Sequence, residues 1–237
     1  MQAEALLQLW ERADGLSPVE RALALAEAGG GDATELRARQ FGRTNARVLA
    51  LRESLLGGDL AATATCPACG ERVEFAVLPA ELQELHPTGE GGGLVSGQYV
   101  VEWRSPTPDD LVAVVAEPDP EGALRQRCLT VMSADGDRAD PAVVLREVID
   151  AAEASMAEAD PLAEVLVSLA CPECGSGFEA DLDLGGFVWA EVDARARRLL
   201  HEVDVLARAY GWTEPEVLAL SEARRAAYLR LVLDGAP

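Results

Sequence analysis

Two short segments, Cys66-Pro67-Ala68-Cys69-Gly70 and Cys171-Pro172-Glu173-Cys174-Gly175, are near copies of each other set 101 residues apart. Two residues between the cysteines let both thiolates reach one tetrahedral ion. The glycine that follows permits a tight positive-φ turn with backbone amides facing the sulfurs. Two such knuckles supply four ligands and close the coordination sphere, the pattern of a structural ion, because a catalytic one keeps a position open. The spacing therefore predicts one structural zinc per chain, held by Cys66, Cys69, Cys171 and Cys174, and a fold in which the chain returns to its own first hairpin. Closing so long a loop costs about 4 kcal/mol, which zinc binding of about 10 kcal/mol or more offsets. Two disulfides, a thioredoxin-like dithiol and an iron–sulfur cluster are the alternatives. A cytoplasmic setting argues against the first, and the lack of a helix start in a βαβ unit against the second.

That setting is expected because Met1 to Leu7 lacks the basic flank and cleavage site of a signal peptide, and no apolar run approaches the roughly 18 residues of a membrane span. The 237 residues suffice for a real core without any staple. The chain carries 41 acids against 20 bases, a formal charge of −21, and every base is arginine. Without lysine, a Walker phosphate loop, a Schiff-base lysine and a lysine general base are excluded. So acidic a chain is also a poor partner for nucleic acid, whose binding rests on neutralising phosphates.

Periodicity divides the chain into an α+β order. Residues 1–60 read as a helical region: Leu6, Leu7 and Trp10 recur at helical spacing, and Ser17-Pro18-Val19-Glu20 is a capping box. The run Arg43 to Arg52 puts Val48, Leu51 and Leu55 on one face, with Arg43, Asn45 and Arg52 largely elsewhere. Around each cysteine pair the period changes to two, so residues 61–80 and 164–185 read as two β-hairpins forming one composite zinc-ribbon-like module. Residues 81–163 read as an α/β insertion. It holds a loop from His86 to Gly93, a strand from Tyr99 to Trp103, a helix capped at Thr107, and a second helix starting near Pro141 under an Asp140 cap. Residues 186–237 read as a helical hairpin. Trp189, Val192, Ala196, Leu199, Val203, Leu206 and Tyr210 mark a helix that Gly211 stops, and Thr213-Glu-Pro-Glu216 opens another carrying Val217, Leu218, Tyr228, Leu231 and Val232.

Few residues outside the cysteine pairs carry chemistry. Cys128 stands alone and reads as a small buried apolar residue. His86 abuts a loop proline and His201 reads as a boundary or surface residue, so serine–histidine–acid catalysis has little to work with. Asp135-Gly136-Asp137 does not match a calcium loop. The terminal hairpin gathers Tyr210, Trp212, Arg224, Arg225 and Tyr228, residue types enriched at interface hot spots, and reads as a candidate partner-binding element.

Several segments together resemble a known group. They are Trp10-Glu11, Glu20-Arg21-Ala22-Leu23, Gly42-Arg43 to Leu51-Arg52-Glu53, the cysteine pairs, Ala159-Asp160-Pro161, Phe187 to Glu191, Val203 to Trp212, and Arg224 to Leu229. In these the chain resembles the baseplate-hub assembly proteins of T-even-type contractile phages and their relatives in phage-like contractile injection systems. The resemblance implies a non-enzymatic structural or assembly protein whose partners are other baseplate, hub, spike or tube proteins. From the residues alone, a zinc-containing cytoplasmic adaptor or regulatory protein unrelated to such particles is the alternative.

Overall fold

The computed structural model describes residues 2–55 and 57–234; Met1, Leu56 and residues 235–237, which the terminal regions defined above include, lie outside the described residues. Helices α1 (Ala3–Ala13), α2 (Pro18–Ala28), α3 (Ala33–Ala38) and α4 (Phe41–Leu55) open the chain, and a first hairpin follows, β1 (Leu60–Thr65) and β2 (Arg72–Val77). The long intervening segment holds α5 (Pro79–Gln83), β3 (Gly91–Ser96), β4 (Tyr99–Arg104), α6 (Pro108–Val114), α7 (Pro120–Cys128), β5 (Leu129–Ser133), β6 (Arg138–Ala139) and α8 (Arg146–Ala159). A second hairpin, β7 (Leu166–Ala170) and β8 (Gly177–Asp181), leads into α9 (Leu184–Tyr210), α10 (Glu214–Leu218) and α11 (Glu222–Asp234). The result is a mixed α+β fold with, among the described residues, three small antiparallel sheets: the two hairpins and a four-stranded sheet in the order β3-β4-β5-β6.

Among the described residues, three of the apolar clusters hold the helical frame, the hairpin bases and the inserted sheet. Leu6, Leu9, Leu23, Leu25, Val48 and Leu51 of the first helices meet Val188, Val192, Ala196 and Leu199 of α9, so the two ends of the chain share one helical core. Beneath the hairpins, Leu49 of α4 packs with Leu60 and Val77 from the first and with Leu162, Val165 and Leu182, which flank the second. In the inserted sheet, Val101, Leu129 and Val131 face Val148, Ile149 and Ala152 of α8. Local signals fix several boundaries. The Ser17 hydroxyl accepts the Glu20 N–H with Pro18 at the first helical position, and Gly211 closes α9 in the left-handed region at φ 70°.

The structure corrects several expectations. Asn45 and Arg52 of α4 are buried. The Asn45 amide donates to the Leu162 carbonyl at 2.7 Å, and the Arg52 guanidinium binds Glu191 and the carbonyls of Gly57, Gly58 and Asp59. Apolar periodicity does not count such groups, whose burial is compensated by hydrogen bonds to distant chain. Gly91 to Gly93, expected in a loop, form half of β3. A Cβ on Gly92 would come within 2.7 Å of the Trp103 ring, so glycine lets the strand lie against that ring. Asp140 caps only a 3-10 turn at Pro141–Val143; Val144 is extended, and α8 begins at Arg146. The expected second C-terminal helix is broken into α10 and α11, with the Ser221 hydroxyl accepting the Arg224 N–H at the restart.

Candidate metal centre

Each cysteine pair lies at the tip of its hairpin because the strands run in register to it, Thr65 opposite Arg72 and Ala170 opposite Gly177. The tips repeat one hydrogen-bond pattern. Cys66 N–H donates to the Glu71 carbonyl and Gly70 N–H to the Cys66 carbonyl; Cys171 N–H donates to Ser176 and Gly175 N–H to Cys171. Gly70 and Gly175 take φ of 79° and 73°, the left-handed conformation that the turn requires.

The strand alternation turns Ala62, Phe75 and Val167 toward the apolar cluster at the hairpin bases, while Val73 and Phe178 pack beside Cys66 and Cys171 nearer the tips. The four sulfurs lie within 4.8 Å of one another. Their close pairs cross from one hairpin to the other, Cys66 to Cys174 at 3.8 Å and Cys69 to Cys171 at 3.6 Å. A disulfide needs about 2.05 Å, so these are free thiols. A tetrahedral ion with metal–sulfur bonds of about 2.3 Å sets its ligands about 3.8 Å apart. The donor set therefore fits one shared ion. Cys66 and Cys171 are 1% and 2% exposed, whereas Cys69 and Cys174 face solvent.

Crowding four thiols makes their protons unequal. The Ser176 hydroxyl and amide, with help from Cys69, pull Cys174 down to about 6. At Cys69 the Glu71 amide works to lower the pKa, but hydrogen bonding with Cys174, loss of solvent, and hydrogen bonding with Cys171 and Cys66 together outweigh it and push the thiol up to about 12. Metal binding must displace those protons, so metal and acid compete for the site.

The other candidate residues lie apart from this centre. Cys128 is buried beside Leu124, Leu129 and Met156 at a small cavity of about 160 Å³, and burial pushes its thiol up to about 11. His86, His201, Asp135 and Asp137 are exposed. In the terminal hairpin, Tyr210 stacks on Trp212 at 4.7 Å, and Tyr228 meets both rings edge-on. Arg225 is only 7% exposed: its Nε pairs with Glu202 at 2.9 Å and its Nη1 donates to the Leu220 carbonyl. It braces α11 on α9, leaving Arg224 and Arg230 as the exposed arginines of α11.

Sequence reasoning missed the contacts that hold the centre's supports in place. The Gly42 N–H donates to the buried Asp160 carboxylate at 3.0 Å, and with the Asn45–Leu162 bond it ties the exit of the insertion to α4. A Cβ on Gly42 would overlap that carboxylate. Within the insertion, buried Asp110 accepts from Arg104, Arg127 and Thr107. The Thr107 cap was legible locally, whereas partners as distant as Arg127 leave no local signal.

In comparisons with known proteins, no family model, no curated protein and no solved structure matches the chain.

Proposed function

We propose that the four thiols hold one zinc ion whose work is structural, and that the chain is a non-enzymatic structural or assembly protein of the baseplate of a contractile phage tail or phage-like contractile injection system. The observation that carries the metal half is the convergence of two near-identical knuckles on one cluster of four sulfurs. Four protein ligands leave no open position for water or substrate, which suits a closed, structural ion. Zinc would then fasten the hairpin tips while the Leu49–Leu60–Leu162 cluster fastens their bases.

The particle half rests on the resemblance alone; two internal contacts join segments that carry it without bearing on it. Arg52 with Glu191, and Gly42 with Asp160, pair segments through which the resemblance runs. Expected partners are hub, spike, tube or other baseplate proteins, with the terminal hairpin as one contact element through Arg224 and the Tyr210–Trp212–Tyr228 cluster. Quantitative mass spectrometry of particles and of assembly intermediates tests this. Copurification with sheath, tube and spike proteins is the expected result, at fixed stoichiometry for a component or in intermediates alone for an assembly factor. Absence from both would sink the assignment and favour the unrelated zinc adaptor.

A further inference from the structure

The net charge is divided unevenly along the fold. Residues 60–183 hold 24 acids and 6 arginines, a net −18 of the chain's −21, while the helical frame of residues 1–59 and 184–237 is close to neutral. Of the insertion's five arginines, all but Arg138 are paired within it. Arg104 and Arg127 pair with Asp110, Arg125 with Glu121 and Glu153, and Arg146 with Asp150 and Glu153. Many carboxylates have no such partner among the described residues, including exposed Glu102 on β4 and Glu147 and Glu158 on α8, the helix that packs over β3 and β4.

Within this acidic region one strand edge lacks the usual protection. β3 is an outer strand of the four-stranded sheet, paired only with β4. Natural edges are blunted by charge, proline, bulges or shortness. The opposite edge, β6, is two residues long and carries Arg138. β3 runs for six residues, Gly91-Gly92-Gly93-Leu94-Val95-Ser96, with no charge and no proline. Strands β1 and β7 are also uncharged, but their exposed residues alternate with covered ones. In β3 the three glycines are exposed in succession, which bares the main chain, and Val95 is 76% exposed. Val95 shares the outward face with Val100, its cross-strand neighbour, and with Met132 on β5.

We propose that the free edge of β3 takes an extended, arginine- or lysine-bearing segment of a partner protein as a fifth strand. Main-chain hydrogen bonds to the bare edge supply pairing without demanding a side-chain code, Val95 and Val100 supply an apolar contact, and the surrounding carboxylates select a basic partner. A second copy of this chain is disfavoured by like charge. The inference needs neither the metal nor the particle assignment.

An alternating Arg-Val peptide is the probe, titrated into the intact protein beside a backbone N-methylated form and an alternating Glu-Val peptide. Binding of the Arg-Val peptide should slow amide exchange across residues 91–96. N-methylation, which keeps the charge and abolishes strand pairing, should weaken binding by about tenfold or more, and the Glu-Val peptide should bind more weakly still. Val95→Lys, at an exposed position, should weaken binding by about tenfold through like-charge repulsion. Equal binding of the N-methylated peptide, protection confined to other residues, or no binding at all would overturn the proposal. So would a self-associated protein that Val95→Lys converts to monomer. The peptide comparison stands on the unaltered protein even if that variant misfolds.

Discussion

Asp110 and Asp160 show how the same side chain is buried for opposite electrostatic ends. At Asp110 burial works to raise the pKa, but the Arg104 guanidinium, the Thr107 amide and hydroxyl, and Arg127 more than reverse it, holding the carboxyl well below its ordinary range. At Asp160 burial dominates over the Gly42 amide and Arg43, and the pKa is raised. The signs of their contributions to stability follow. A depressed folded-state pKa gives stability that is present above the unfolded-state value and is lost as pH falls toward the folded one; a raised pKa gives the reverse. Asp110→Asn should therefore destabilise the protein by about 1–2 kcal/mol at neutral pH, because two half-exposed guanidinium groups lose a charged partner. The deficit should shrink as the pH drops below about 4, where the wild-type carboxylate itself begins to lose its advantage. Denaturant titrations of both proteins across that range check it; a pH-independent difference would show that the ion pairs contribute nothing. Residues of this kind were only half legible. Cys66 to Gly70 and Cys171 to Gly175 carry their geometry in five consecutive letters, but nothing in the neighbourhood of Gly42 announces that its missing Cβ makes room for a carboxylate 118 residues away.

Elements governed by local chemistry were readable, and those governed by tertiary demand were not. The cysteine hairpins, the Thr107 cap and the Gly211 stop follow from alternation, capping oxygens and a left-handed glycine. The break between α10 and α11 carries no glycine or proline; Ser221 supplies the only cap, and Arg225 must turn inward to reach Glu202. β5 escapes a reading by period because a short apolar run has none of its own, and α7 escapes it because the helix is polar, although Asp119 and Pro120 mark its start. The hairpins also differ along their length in a way that sharpens the effect of metal removal. Their bases are held by Leu60, Val77, Leu162 and Leu182, while near the tips only Val73 and Phe178 accompany the buried thiols. Chelation should speed amide exchange mainly at the tips, around residues 64–73 and 169–178, with α1, α2 and α9 unaffected. Loss of protection throughout the chain would instead mean that the ion supports a single cooperative unit.

At the scale of the whole molecule, the chain leaves a nearly neutral helical frame through β1 and β2, returns to it through β7 and β8, and places an acidic sheet-bearing lobe between. No described helix is long and apolar enough to cross a membrane. The frame is closed by the shared core of α1, α2, α4 and α9, and the two ends of the lobe meet at three levels: the Gly42–Asp160 and Asn45–Leu162 bonds, the apolar cluster at the hairpin bases, and the four-thiol cluster at their tips. Composition showed an acidic chain without placing the charge in the lobe, and the meeting of the lobe's two ends could be inferred only from the duplicated cysteine motif. The central claim is that those motifs share one ion. Elemental analysis of the purified protein, of Cys66→Ser with Cys69→Ser, and of Cys171→Ser with Cys174→Ser tests it most directly. The account predicts one zinc per chain in the wild type and none in either double variant; two ions per chain, no ion in the wild type, or an ion that survives removal of one pair would contradict it.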